Sequence, residues 1–249
     1  SLSAAANMRV ATASSWSRLR AASARNSSFG KRITLRLCGI VRFKRSIVRF
    51  TSAERTRVSE QVARAVRLES FGGPEVLAVR EVPVPQPGPG QVRVKVVAAG
   101  LNPMDWIMTA DAETAARFGL SLPAGFGTDY AGVIDQVGDG ATDFAPGDRV
   151  FGGALSRAVA DYVVVDASGE VAANEVHHTP DGVDDRTAAT LSIAARTASA
   201  AVAAVDPGPD DTVLVGGAGG GVGVFAVQLA RIAGARVIGT GSAASADYL

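Results

Sequence analysis

VLVGGAGGGVGVFAVQLARIAGARVIGT, residues 213–240, is the stretch that decides the fold. Six of the eight residues from Gly216 to Gly223 are glycine. Glycine loses more conformational freedom on folding than any other residue, so this density needs a reason. An apolar run, Thr212–Val215, precedes it, and VFAVQLARIA follows with apolar residues recurring at three and four positions. Gly234 stands where a helix would stop, and ARVIGT (235–240) reads as a second apolar strand. Strand, glycine loop, helix and strand make one βαβ unit. The best-attested use of such a unit is dinucleotide binding, with backbone N–H groups and a helix N-terminus facing a diphosphate.

The usual fingerprint is G-x-G-x-x-G, and here it aligns as Ala218-x-Gly220-x-x-Gly223, with alanine in the first place. The expected seat for the diphosphate is therefore the main chain of Ala218, Gly219, Gly220, Gly221, Val222 and Gly223. A phosphate loop of the lysine-bearing kind is excluded, because no lysine follows Lys95. The plainer alternative is that the glycines serve only close helix–strand packing. A site preferring NAD usually has an acid near the end of the second strand, to bond the ribose 2′-hydroxyl. The first acid here is Asp247, whereas Thr240 and Ser242 offer hydroxyls to a 2′-phosphate, so NADPH is favoured over NADH.

Upstream, short strands alternate with glycine- and proline-rich turns. VARAVRL (62–68), VLAVREVPV (76–84), QVRVKVVAAG (91–100), TDYAGVIDQVG (128–138), DRVFGG (148–153) and RAVADYVVVD (157–166) read as strands. PQPGPG (85–90) is a stiff loop that cannot pair in a ladder. Many short strands of this kind predict a barrel-like β domain. Taken alone, they would fit a binding module as well as an enzyme.

The first 60 residues are a different kind of polypeptide from the rest of the chain. They carry 13 Lys/Arg against two acids, a net +11, while residues 61–249 carry 12 against 22, a net −10. Serine, alanine and arginine dominate residues 1–28, as in an organellar transit peptide. The alternatives are an arginine-rich nucleic-acid contact and a disordered tail or translated upstream sequence. The tail reading is preferred, because the domain pattern begins cleanly near Val62. On that reading the chain is expected in the cytoplasm, and in an organelle if the leader is a targeting signal. Cys38 is the single cysteine, so a disulfide framework has no partners. No uncharged apolar run approaches the roughly 18 residues of a membrane span.

In order along the chain, FGGPEVL (71–77), AAGLNPMDW (98–106), GTDYAGVIDQVGDG (127–140), FAPGDRVFG (144–152), AATLSIAARTA (188–198) and AGGGVGVFAVQLARIAGARVIGT (218–240) resemble the medium-chain dehydrogenase/reductase superfamily. Within it, they look most like the zinc-free quinone oxidoreductases related to zeta-crystallin. The resemblance implies an α/β chain: a GroES-like β-barrel catalytic domain over 61–186, then the N-terminal part of a Rossmann (doubly wound) cofactor domain over 187–249. Family members continue for roughly a further hundred residues, so the chain is expected to be a truncated form. A two-strand nucleotide unit is marginal alone, and poor or absent cofactor binding is expected from it. The full-length family member is commonly a homodimer.

Zinc-dependent members place a cysteine within the segment matching AAGLNPMDW and a Gly-His-Glu where Gly127-Thr128-Asp129 stands. Neither is present, and His177 and His178 read as exposed loop residues, so no metal is expected. The implied reaction is hydride transfer from NADPH to a quinone or activated enone. By resemblance Asn102 would sit beside nicotinamide and substrate and Thr197 near the nicotinamide, with Asp105 structural. Asn102-Pro103 also reads simply as a turn. Related enoyl reductases place a proton-donating tyrosine shortly afterwards, where this chain has Trp106, Ile107 and Met108. A non-catalytic module keeping the fold is the other alternative.

Overall fold

Strand β1 (Val62–Leu68) pairs antiparallel with β2 (Ala78–Pro83), in a computed structural model that describes residues 61–169 and 174–248. The leader expectations concern residues 1–60 and lie outside the described residues. Between β1 and β2 the predicted glycine–proline turn closes in a short 3-10 turn, Pro74–Val76.

The larger sheet is antiparallel and five-stranded. It contains β3 (Gln91–Gly100), β5 (Asp129–Val137), β6 (Arg149–Ala154), β7 (Tyr162–Asp166) and β8 (Asn174–His178), in the order β7-β3-β5-β6-β8. β4 (Ala124–Gly125) adds to the far side of β1. The two sheets meet where the Val66 N–H donates to Val159 O and the Asp161 N–H to Arg64 O, which curls the whole into a barrel-like unit.

Alternation fills its interior. Val92 and Val94 of β3 are fully buried, as are Tyr130, Val150 and Val165, and they form one cluster with Ile134, Val163 and Val176. Each such aliphatic side chain removed from water contributes about 1.5–3 kcal/mol. Tyr130 satisfies its buried hydroxyl by donating to Glu175 O at 2.8 Å.

Two readings change. The stretch 157–166 is not one strand: pairing with β3 starts only at Tyr162, and residues 157–161 form the crossing that bonds to β1. His177 and His178 are exposed, but they lie on β8, paired with Phe151 and Val150 of β6. The polar sequence NEVHH hid that strand because only Glu175 and Val176 are buried, on opposite faces of it.

α1 (Pro103–Ala110) and α2 (Ala112–Arg117) follow β3, a helical excursion that the strand pattern did not anticipate. Pro103 at the first helical position has no N–H to leave unpaired there. Past the barrel, α3 (Asp185–Ala188) leads to a π-helical turn (Leu191–Ala195), α4 (Arg196–Val205), β9 (Thr212–Val215), α5 (Gly221–Ile232) and β10 (Arg236–Gly239). β9 and β10 are parallel, with Val213 opposite Val237. The βαβ unit is therefore present as read, and Gly234 takes the left-handed φ of +93° that ends α5. Leu214 and Ile238 on this small sheet remain about half exposed.

Candidate active site

The glycine loop is shaped by one close approach. A Cβ at Gly223 would stand 2.1 Å from Gly217 O, so the first turn of α5 lies directly on the loop that feeds it. Ala218 is fully buried, and a Cβ on Gly239 would come within 2.8 Å of its methyl. The departure from the fingerprint is thus a small side chain packed against a second glycine.

The amides divide into two sets. The Ala218 N–H donates to Thr240 O at 2.8 Å and the Gly220 N–H to Gly217 O at 2.9 Å, so those two donors are spent inside the protein. The first bond of α5 runs from the Val224 N–H to Gly220 O, which leaves Gly221, Val222 and Gly223 ahead of the helical ladder. These three amides and the helix dipole make the N-terminus of α5 a seat for an anion.

A cavity of about 480 Å³ opens onto that seat. Gly220 to Gly223 line it, together with Ala201 and Val202 of α4, all of β9 from Val213 on, and Asn102 and Pro103 from the start of α1. Its walls are mostly apolar and, among the described residues, include no lysine or arginine, so an anionic group there would rely on backbone amides. A Cβ placed on Gly216 or Gly217 would meet nothing within 4 Å, and one on Gly221 only the Ala194 methyl at 4.0 Å. Gly217 is accounted for by its left-handed φ of +69°, but at Gly216 and Gly221 the chain's own packing leaves room for a side chain, and an extended diphosphate-bearing ligand approaching the backbone would need that room. The residues present fit a dinucleotide.

Asn102 and the segment Gly220–Gly223 are therefore brought to one cavity. Ala218 lies buried beneath it and Gly219 sits in the loop outside the lining. Thr240 and Ser242 are exposed beyond β10 and do not line the cavity. Thr197 is exposed on α4, and its hydroxyl donates to Ile193 O at 2.6 Å.

Around Asn102 lies a network that local sequence patterns did not reveal. Its carboxamide donates to Asp129 Oδ2 at 3.0 Å, while its backbone N–H donates to Asp105 Oδ2 at 2.7 Å. Asp105, almost fully buried, also accepts from Thr128 Oγ1 at 2.7 Å. Burial raises the Asp105 carboxyl, against the pull of the bonds from Asn102 and Thr128. Asp129 is pushed up to about 6, chiefly by burial. Glu175, also buried, accepts from Ser192 Oγ and pairs with Arg196. The available signal was an acid amid small buried residues in GTDYAG. Such a carboxylate needs partners, though its position cannot say which.

Trp106 packs against Phe126 with ring centroids 4.7 Å apart, and Met108 is buried. Among the described residues, no three His, Cys, Asp or Glu side chains cluster as a metal would need.

The alcohol dehydrogenase GroES-like domain family matches residues 88–226, more than half of the chain. Human quinone oxidoreductase is 40% identical over 186 residues, which cover 73% of this chain and 53% of that protein. The chain belongs to the quinone oxidoreductase-like branch of the medium-chain dehydrogenase/reductases. It spans about half the length of the curated relatives of this branch that it matches. The solved quinone oxidoreductase from Coxiella burnetii superposes with a TM-score of 0.69 at 29% identity, over 76% of this chain and 59% of that one. A mycobacterial member solved in complex with NADPH gives a TM-score of 0.64 at 32% identity, over 74% and 54%. As a medium-chain dehydrogenase/reductase, the chain pairs a GroES-like barrel with Rossmann-type βαβ structure, as its sequence implied.

Proposed function

We propose that this chain serves NADPH-dependent hydride transfer to a quinone or activated enone, without zinc. The observation that carries the reading is the single cavity shared by Asn102 and the amino end of α5. NADPH, when bound, supplies the hydride. The amides of Gly221, Val222 and Gly223 would hold its diphosphate, and the hydroxyls of Thr240 and Ser242 would reach toward the 2′-phosphate.

Asn102 does the work at the acceptor. Its Nδ2 carries two N–H bonds, and one is spent on Asp129. The second donates to the acceptor oxygen, where negative charge grows as the hydride arrives. Tyr130, the nearest tyrosine in sequence, donates its hydroxyl into the core, so the proton for the reduced acceptor comes from solvent. Thr128, standing where the zinc-dependent members carry a histidine, supports the metal-free route. The presence of Trp106, Ile107 and Met108 where a tyrosine acid would stand favours a quinone over an enoyl thioester.

This departs from the expectation of poor cofactor binding, because the anion seat and the Asn102 side of the cavity are both formed by residues 102–226. The test is a thermal-shift titration with NADPH, followed by loss of NADPH absorbance on adding p-benzoquinone. Saturable stabilisation and quinone-dependent oxidation are expected. Stabilisation without oxidation would make the chain a binding module. Faster turnover of a crotonyl thioester than of quinone would make it an enoyl reductase.

A further inference from the structure

We propose that Asp129 is a positioning residue, which orients the Asn102 carboxamide and ties it to the π-helical turn Leu191–Ala195. The proposal rests on the role given to Asn102 above. Its basis is one carboxylate oxygen shared by two elements. Asp129 Oδ2 accepts from Asn102 Nδ2 at 3.0 Å and from the Ile193 N–H at 3.4 Å. The two donors come from different elements: Asn102 caps α1, and Ile193 lies in the turn that leads into α4. π-helical turns are rare and concentrate at functional sites. Thr197 Oγ1 donates to the carbonyl of the same Ile193, so both residues assigned to the nicotinamide end are linked through this turn.

The second oxygen makes Asp129 a poor choice for a purely structural post. Asp129 is 1% exposed, and its Oδ1 has no hydrogen-bond partner among the described residues. An unpaired oxygen on a buried carboxylate costs stability that a neutral side chain would not. The charged groups facing it are Asp105 from α1 and Glu175 from β8, the latter engaged by Arg196. β3 and β6 bring only Gly100 and Gly153 opposite it. Burial and the two acids push its carboxyl up to about 6, against the bonds from Asn102 and Ile193. Above that pH the bond to Asn102 is charge-assisted and strong. Below it the carboxyl is neutral and its hold weakens.

The experiment follows the side-chain amide resonances of Asn102 by NMR across this range, in the full 249-residue chain without NADPH. The wild type is expected to show a shift with its midpoint at about 6, and Asp129→Asn to lose it. A flat profile in the wild type, or a titration that persists in Asp129→Asn, would overturn the proposal. With NADPH and p-benzoquinone, Asp129→Leu should lower kcat about tenfold or more while KM for NADPH moves by less than about twofold. An equal fall in thermal stability and activity, with the amide profile unaltered, would instead make Asp129 merely structural. If NADPH fails to bind at all, the hydride-transfer reading falls, and the amide titration still decides the role of Asp129.

Discussion

The backbone oxygen of Gly217 lies against Gly223 so closely that a methyl group on residue 223 would overlap it at 2.1 Å. Backbone cannot swing aside as a flexible side chain would. Gly223→Ala should therefore lose about 1–3 kcal/mol by overpacking, despite the better helix propensity of alanine. Calorimetry should show a Tm lowered by several degrees, and an unchanged Tm would mean that the loop moves freely.

Gly221 gives the opposite outcome. A Cβ there meets only the Ala194 methyl at 4.0 Å, in ordinary contact. Gly221→Leu should fold with stability within about 1 kcal/mol of wild type, while its side chain fills the space ahead of the α5 amides. The thermal shift produced by NADPH should disappear. Retained stabilisation by NADPH would place the ligand elsewhere.

Asp129 sets a pH dependence with a definite sign. Its folded value of about 6 lies above the ordinary 3.8, so between these values the native chain binds more protons than the unfolded one. Stability from this group is thus fully present below the lower value and is lost as pH rises through the upper one. Asp129→Asn cannot ionise. It should match wild type near pH 4 and exceed it above pH 6, by about 3 kcal/mol at most. Asp111, Asp161 and Asp184 are lowered by their hydrogen bonds and act in the opposite sense, so the comparison is made between variant and wild type at each pH. Urea unfolding across the range reads the difference, and equal stability at every pH would contradict it.

Glu175 is 2% exposed, and its carboxylate depends on Ser192 and Arg196. Arg196→Met keeps the aliphatic packing but leaves a buried charge short of its partner. Because the Arg196 side chain is itself 53% exposed, the expected loss is about 1–3 kcal/mol rather than the larger figure for a fully buried pair. Glu175→Gln in the same background should recover most of it. Additive losses in this double-mutant cycle would show that the two side chains are not coupled.

Much of the architecture was legible because it is written in local period and turn chemistry. Alternation in 91–100 and the three- and four-residue spacing in 224–233 each report which face is buried, and Gly234 reports where the helix must stop. α1 escaped this reading because Pro103 looked like a turn, and β8 because NEVHH carries one apolar residue in five. The glycine loop was placed correctly as a unit, but not amide by amide. Which N–H is already taken depends on where Thr240 O and Gly217 O arrive in space.

The sequence by itself determined a barrel of short strands joined to a βαβ unit, a loop free of large side chains, and the absence of a cysteine pair or a late lysine. These follow from residue type and spacing along a few turns of chain. Only the tertiary structure decided that Asp129 meets Asn102, 27 residues away, and Ile193, 64 residues away. Strand register and the docking of α1 and the π-helical turn set those meetings, and neither is encoded within any one segment. A carboxylate's partners, its orphaned oxygen and its raised affinity for a proton all come from that packing.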